Sequence, residues 1–119
     1  MHIITHTVAT GLVAEFVTQD IIINTIEEGI NLVGTLYYQG FEGAIIHRDT
    51  ITPYFFDLKT KIAGEILQKF SNYRIRLAIV GNFESYTSNS LKNFIYECNK
   101  GRQVNFVASV PLALEKLFK

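Results

Sequence analysis

Three ionisable side chains in a row, His47, Arg48 and Asp49, followed by the hydroxyl of Thr50, come directly after the apolar run Gly43-Ala44-Ile45-Ile46. If that run is a buried strand, the cluster stands at its carboxyl end, where open α/β sheets place their binding loops. There Arg48 would pair with an anion and Asp49 would serve as a base. A second polar stretch, Asn82 to Asn89, offers Asn82, Glu84, Ser85 and Tyr86. Glu84 is the alternative base, Ser85 or Tyr86 would hold a hydroxyl or a phosphate, and the amides ahead of Leu91 would suit an anion at a helix start. Arg48, Asp49, Asn82, Glu84, Ser85 and Tyr86 are therefore the candidate ligand-binding set. Each half also has a plainer reading, the first as solvated loop and helix entry, the second as capping by Ser88.

Other chemistry is thin. The chain has no GxGxxG, no P-loop, no GxSxG and a single cysteine, so no catalytic residue, cofactor or metal is assigned. His2 and His6 are four apart and share one face of a strand, yet both read as surface residues rather than ligands. Cys98 falls on an apolar helical stripe and reads as an inert small hydrophobe. Asp57 suits the first turns of a helix. Tyr54 with Tyr73, and Tyr37 with Tyr38, are amphipathic rings that fit a partner surface or a partly buried core equally well. Lys69, Arg74 and Arg76 with Tyr73 form a small basic and aromatic set.

The elements that must position these residues follow from periodicity. His2 to Val17 is rich in β-branched residues and is punctuated by Ala9-Thr10-Gly11, which reads as an antiparallel hairpin. Asp20 then caps a helix whose Ile22, Ile26, Ile30, Val33 and Tyr37 share a face, weakened by Gly29 and Gly34 and ended by Gly40. Gly43 to His47 is a buried strand. Thr52 and Pro53 open the longest helix, with Phe55, Leu58, Ile62, Ile66 and Phe70 as its stripe down to Asn72. Arg74 to Gly81 is a strand, Leu91 to Cys98 a helix closed by Gly101, Gln103 to Ala108 a strand, and Ser109 caps a terminal helix. The order ββαβαβαβα predicts an α/β fold with a mostly parallel sheet and an antiparallel hairpin at its start.

Composition bounds the rest. A length of 119 residues with 48% hydrophobic content, mean hydropathy +0.17 and 18% charged residues suits one domain over 1–119 with one sizeable core. Eleven basic residues balance eleven acidic ones, which argues against nucleic acid or an acidic membrane surface as partner. No apolar run is long enough to span a bilayer, and the lone cysteine and the lack of a basic start followed by an apolar core lead us to expect a cytoplasmic location.

The stretch Tyr54-Phe55-Phe56-Asp57-Leu58-Lys59-Thr60, then Ala63 to Arg74, Leu77 to Gly81 and Phe94 to Gly101, resembles the bacterial domain-of-unknown-function 4180 family. That resemblance implies no known activity. A wider likeness is to STAS domains of the anti-sigma-factor antagonist type, in which an Asp-Ser-Ser-Gly box opens a helix. Asp57 would be the first acid of the box, but Leu58, Lys59 and Thr60 replace the serines and glycine, so phosphorylation at the usual serine is not implied. The STAS-like architecture and a preference for protein partners are what this likeness implies.

The leading expectation is thus a small cytoplasmic interaction or regulatory module with a STAS-like fold, whose partner surface is carried by Tyr54, Asp57, Lys59 and Thr60. Its partner would be another protein or a second copy of the chain, with no nucleic acid and no membrane. The alternative is a small-molecule or anion-binding domain, or a small enzyme, using the cleft between His47–Pro53 and Gly81–Ser90.

Overall fold

A computed structural model describes residues 2–118. Two strands, β1 (His2–Val8) and β2 (Gly11–Val17), form the expected hairpin, and helix α1 (Ile26–Tyr38) leads to β3 (Gly43–His47). Helix α2 (Ile62–Asn72), β4 (Arg76–Val80), α3 (Asn89–Lys100), β5 (Val104–Val107) and α4 (Val110–Leu117) complete the chain. The five strands lie side by side in sequence order, β1 antiparallel to β2 and the others parallel.

Strands laid down in consecutive order, with crossovers of one hand, put every crossover helix on the same face. The core divides accordingly. One cluster packs Val33 and Leu36 of α1, Ala63, Ile66 and Phe70 of α2, and Leu91 of α3 on Ala14, Phe16, Ala44, Ile46, Leu77, Ile79 and Phe106. Among the described residues the other face carries only α4, whose Ala113 and Leu117, with Phe118, cover Val13, Ile45, Ala78, Val80 and Val107. Beyond Val8 and Val13, the hairpin part of that face has no helix over it among the described residues.

Two helices differ from expectation. Asp20 does not cap α1. Instead Ile23 forms a parallel bridge with Ile51, with Thr52 N–H donating to the Ile23 carbonyl at 2.8 Å, and the helix starts after Thr25. Thr25 Oγ1 accepts from Glu28 N–H at 3.1 Å while Glu28 Oε1 accepts from Asn24 N–H, a variant of the reciprocal capping box. The long helix expected from Pro53 to Asn72 exists only from Ile62. Ahead of it lie two 3-10 turns, Pro53–Phe56 and Leu58–Thr60, and Lys61 in the left-handed region at φ 65°. Thr52, Asp57 and Thr60 each hydrogen-bond nearby backbone groups, the local competition that breaks a helix. Adjacent Phe55 and Phe56 are both buried in the first of these turns.

Gly29, which weakens α1 as an isolated helix, is required by the packing. A Cβ there would collide with Cδ1 of fully buried Ile66, so the glycine sets the approach of α1 to α2.

Candidate functional site

The loops after β3 and β4 meet at the carboxyl end of the sheet. Arg48 Nε and Nη2 donate to Asp49 Oδ1 at 3.1 and 2.9 Å, and Nη1 donates to the Asn82 carbonyl at 2.5 Å. The Arg48 stem lies so close to Gly81 that a Cβ there would sit 2.8 Å from Arg48 Cβ, so this crossing also needs a glycine. Loop 81–88 is held down by rings: Tyr86 stacks on Phe56 at 5.3 Å between centroids, and Phe83 packs edge-on against Phe106 at 5.3 Å.

Arg48, Asp49 and Tyr86 line a cleft of about 270 Å³ with Ile21, Ile51, Pro53 and Phe56. Hydrogen bonding to Asp49 pushes the Arg48 pKa up. Burial raises that of the Tyr86 hydroxyl, against the opposing pull of the Arg48 charge and hydrogen bond. Asp49 itself faces water, its side chain 84% exposed.

The rest of the expected set separates. Asn82 contributes its carbonyl to Arg48, while its side chain accepts from Glu84 N–H at 2.9 Å. Glu84 lines a different depression with Phe83 and Lys92, and Ser85 is exposed and lines neither. Of the partner-surface residues, Tyr54 is 67% exposed and Lys59 is exposed. Asp57 Oδ1 accepts from Lys59 N–H, and the Thr60 hydroxyl is shared between the Tyr54 and Asp57 carbonyls at 2.7 and 2.8 Å. Tyr73 lies at the opposite end from Tyr54, against Tyr37, with ring centroids 5.1 Å apart. Cys98 is half-buried and burial pushes its thiol pKa up, away from the reactive thiolate.

One polar cluster lies outside the expected set. On the same face as α4 but beyond its reach, Glu15 Oε1 and Oε2 meet His6 Nε2 at 2.9 Å and His47 Nε2 at 3.1 Å. His6 is therefore not a free surface imidazole; its side chain is 24% exposed and that of Glu15 is 10% exposed. Burial alone would raise the Glu15 pKa, but the hydrogen bonds and positive charge of the two imidazoles hold it below the usual carboxylate value. The carboxylate fixes both rings as a carboxylate orients a catalytic or ligating histidine. Among the described residues no group of histidine, cysteine and acidic side chains has the arrangement to hold a metal ion.

Fold and site together define a small open α/β protein with a shallow, aromatic-rimmed cleft at its strand ends. The chain belongs to the family described as Domain of unknown function (DUF4180), whose sequence model matches residues 9–117. No curated protein and no solved structure matches it. Among the described residues no helix is long and apolar enough to cross a membrane.

Proposed function

We propose that the protein is a cytoplasmic interaction module of regulatory type, which docks a protein segment at the carboxyl ends of its parallel strands. The supporting observation is that the strongest polar group of the cleft is already engaged within the chain. Arg48 places three donors on Asp49 and the Asn82 carbonyl, which leaves an anion only by competition. What faces outward at the cleft is Ile21, at 46% exposure, and exposed Pro53, with Tyr54, 67% exposed, next to Pro53 in the chain, beside the free face of the Asp49 carboxylate. An apolar cleft with exposed aromatic and aliphatic rims and one outward acid suits a segment that carries an apolar side chain flanked by Lys or Arg.

The STAS likeness supports this reading in its taste for protein partners but not in its switch. Asp57 caps a 3-10 turn rather than opening a helix, and the Thr60 hydroxyl is bonded to backbone. Regulation by phosphate at that position is accordingly not part of the proposal.

A photo-crosslinking side chain installed at Tyr54, in cells that make the protein, tests the idea against the same probe at Tyr38, which is 92% exposed away from the strand ends. The expected result is a discrete adduct from position 54 only, lost in Asp49→Lys. Adducts indifferent to Asp49→Lys, or none at position 54, would overturn it. Inorganic phosphate that raises the Tm of the wild type but not of Arg48→Ala would favour the anion-binding alternative.

A further inference from the structure

The two edges of the sheet are treated oppositely. At β5 the outward backbone groups are closed by side chains: Phe106 N–H donates to Asn99 Oδ1 at 2.8 Å, Asn99 Nδ2 donates to the Phe106 carbonyl at 3.2 Å, and Asn105 Nδ2 donates to the Val104 carbonyl at 2.9 Å. That edge is also only four residues long. Strand β1 runs for seven residues, His2-Ile3-Ile4-Thr5-His6-Thr7-Val8, without a Lys, Arg, Asp, Glu, Gly or Pro to block pairing. Natural sheets protect such edges with charge, proline, a bulge or a covering element. Here β1 pairs in unbroken register from His2 opposite Val17 to Val8 opposite Gly11, and Ile3 and Ile4 are each 41% exposed.

The register identifies the free groups. A two-residue loop closes on the hydrogen-bonded pair Val8 and Gly11, and such pairs alternate along an antiparallel ladder. His6, Ile4 and His2 thus bond inward to β2, while the amides and carbonyls of Ile3, Thr5 and Thr7 point outward.

From this we infer that β1 pairs with β1 of a second copy of this chain, antiparallel about a two-fold axis at Thr5, joining two five-stranded sheets into one. This edge shares no residue with the docking surface above and lies ahead of the family match. Centred on Thr5, the pairing sets Ile3 opposite the partner's Thr7 and Thr5 opposite the partner's Thr5. Every outward backbone group of the three residues is then satisfied on both strands. Ile4 meets the partner's His6 and His2 meets the partner's Val8, so no two full charges of like sign are apposed and an exposed isoleucine is covered. The contact is isologous and closes, which gives a dimer rather than a fibre. On the helix side, Ile3 also floors a groove of about 370 Å³ shared with Phe16, Ile22 and Leu32, which the pairing extends across the axis.

Sedimentation equilibrium and amide exchange on the full chain test this. The wild type is expected to approach twice its 13.5 kDa mass as concentration rises, with the amides of Ile3, Thr5 and Thr7 gaining protection in step. Thr5→Pro removes an outward N–H that the monomer does not use and should weaken association at least about tenfold with the fold retained by circular dichroism. Ile3→Lys, a charge on the same edge, should do the same if Thr5→Pro fails to fold. A wild type that stays monomeric near 1 mM, or dimers that survive Ile3→Lys, would overturn the inference.

Discussion

Helix α1 contains two glycines whose replacement by alanine should change stability in opposite directions. In a helix interior Gly→Ala is worth about 0.5 to 1 kcal/mol, because the unfolded chain loses freedom it no longer has to surrender. At Gly34 nothing lies within 4 Å of the added methyl, so Gly34→Ala should stabilise by about that amount. At Gly29 the same methyl meets Ile66 Cδ1, with Cγ1 at 2.6 Å and Cγ2 at 3.1 Å, and Ile66 is fully buried. Overpacking of a fixed core costs about 1 to 3 kcal/mol, so after the helix gain Gly29→Ala should lose up to about 2.5 kcal/mol. Urea unfolding with an unchanged m-value reads both effects. Ile66→Val removes Cδ1, so the double variant Gly29→Ala/Ile66→Val should be more stable than the sum of its parts by about 1 kcal/mol. A Gly29→Ala protein as stable as Gly34→Ala would show that α1 and α2 do not approach closely here.

Phe70 is fully buried at the end of α2, so Phe70→Ala should cost about 3 to 5 kcal/mol in the same assay; a loss below about 1 kcal/mol would mean a different face is inward. Because the folded pKa of Glu15 is lowered, its stabilising contribution is present above the unfolded carboxylate value and is lost as pH falls through the folded one. Thermal unfolding from pH 7 to pH 3 should therefore show Glu15→Gln with a flatter acid flank than wild type, and parallel flanks would contradict the two imidazole contacts. Arg48→Ala should lower stability by about 1 to 2 kcal/mol, since it frees the Asn82 carbonyl and uncovers the stem contact with Gly81, whereas Asp49→Ala, at an exposed carboxylate, should change it by less than about 0.5 kcal/mol. Equal effects from the two substitutions would reduce the arginine to a surface ion pair.

The elements legible in the sequence are those whose signals are local. Gly43 to His47 forms the strand expected of an uninterrupted apolar run, and Ser88 and Ser109 cap α3 and α4 as their positions ahead of apolar stripes suggest. The boundaries that shifted are those decided by tertiary pairing. Ile22 and Ile23 continue the helical spacing of α1, but their backbones pair with Thr50 to Thr52, and a periodic pattern does not reveal a competing extended partner. The same holds for the site. Arg48 near Asn82 and Tyr86 follows from parallel strands ending on one side, whereas His6, Glu15 and His47 come from three strands and meet only through register. Glu15 carried the available signal: a lone acid within Leu12-Val13-Ala14-Phe16-Val17 must be paired if that strand is buried, and the two-residue turn fixes His6 within diagonal reach.

That cluster and the open edge have one topological cause. Consecutive strand order sends α1, α2 and α3 to one face and leaves α4 to cover the other, where it reaches Val13 and Ile45 but not the carboxyl end of β2. A buried apolar residue at position 15 would therefore leave part of its surface wet, while a charge there can be screened only by its strand neighbours. The imidazoles of His6 and His47 supply that screening from either side, within the sheet rather than from a helix. Any strand added beside β1 would lie next to His6 and thicken the low-dielectric wall around Glu15, so association at the edge and the ionisation of this carboxylate are physically linked. The acid flank of stability should consequently depend on protein concentration in the wild type and not in Ile3→Lys, and a flank independent of concentration in both would separate the two features.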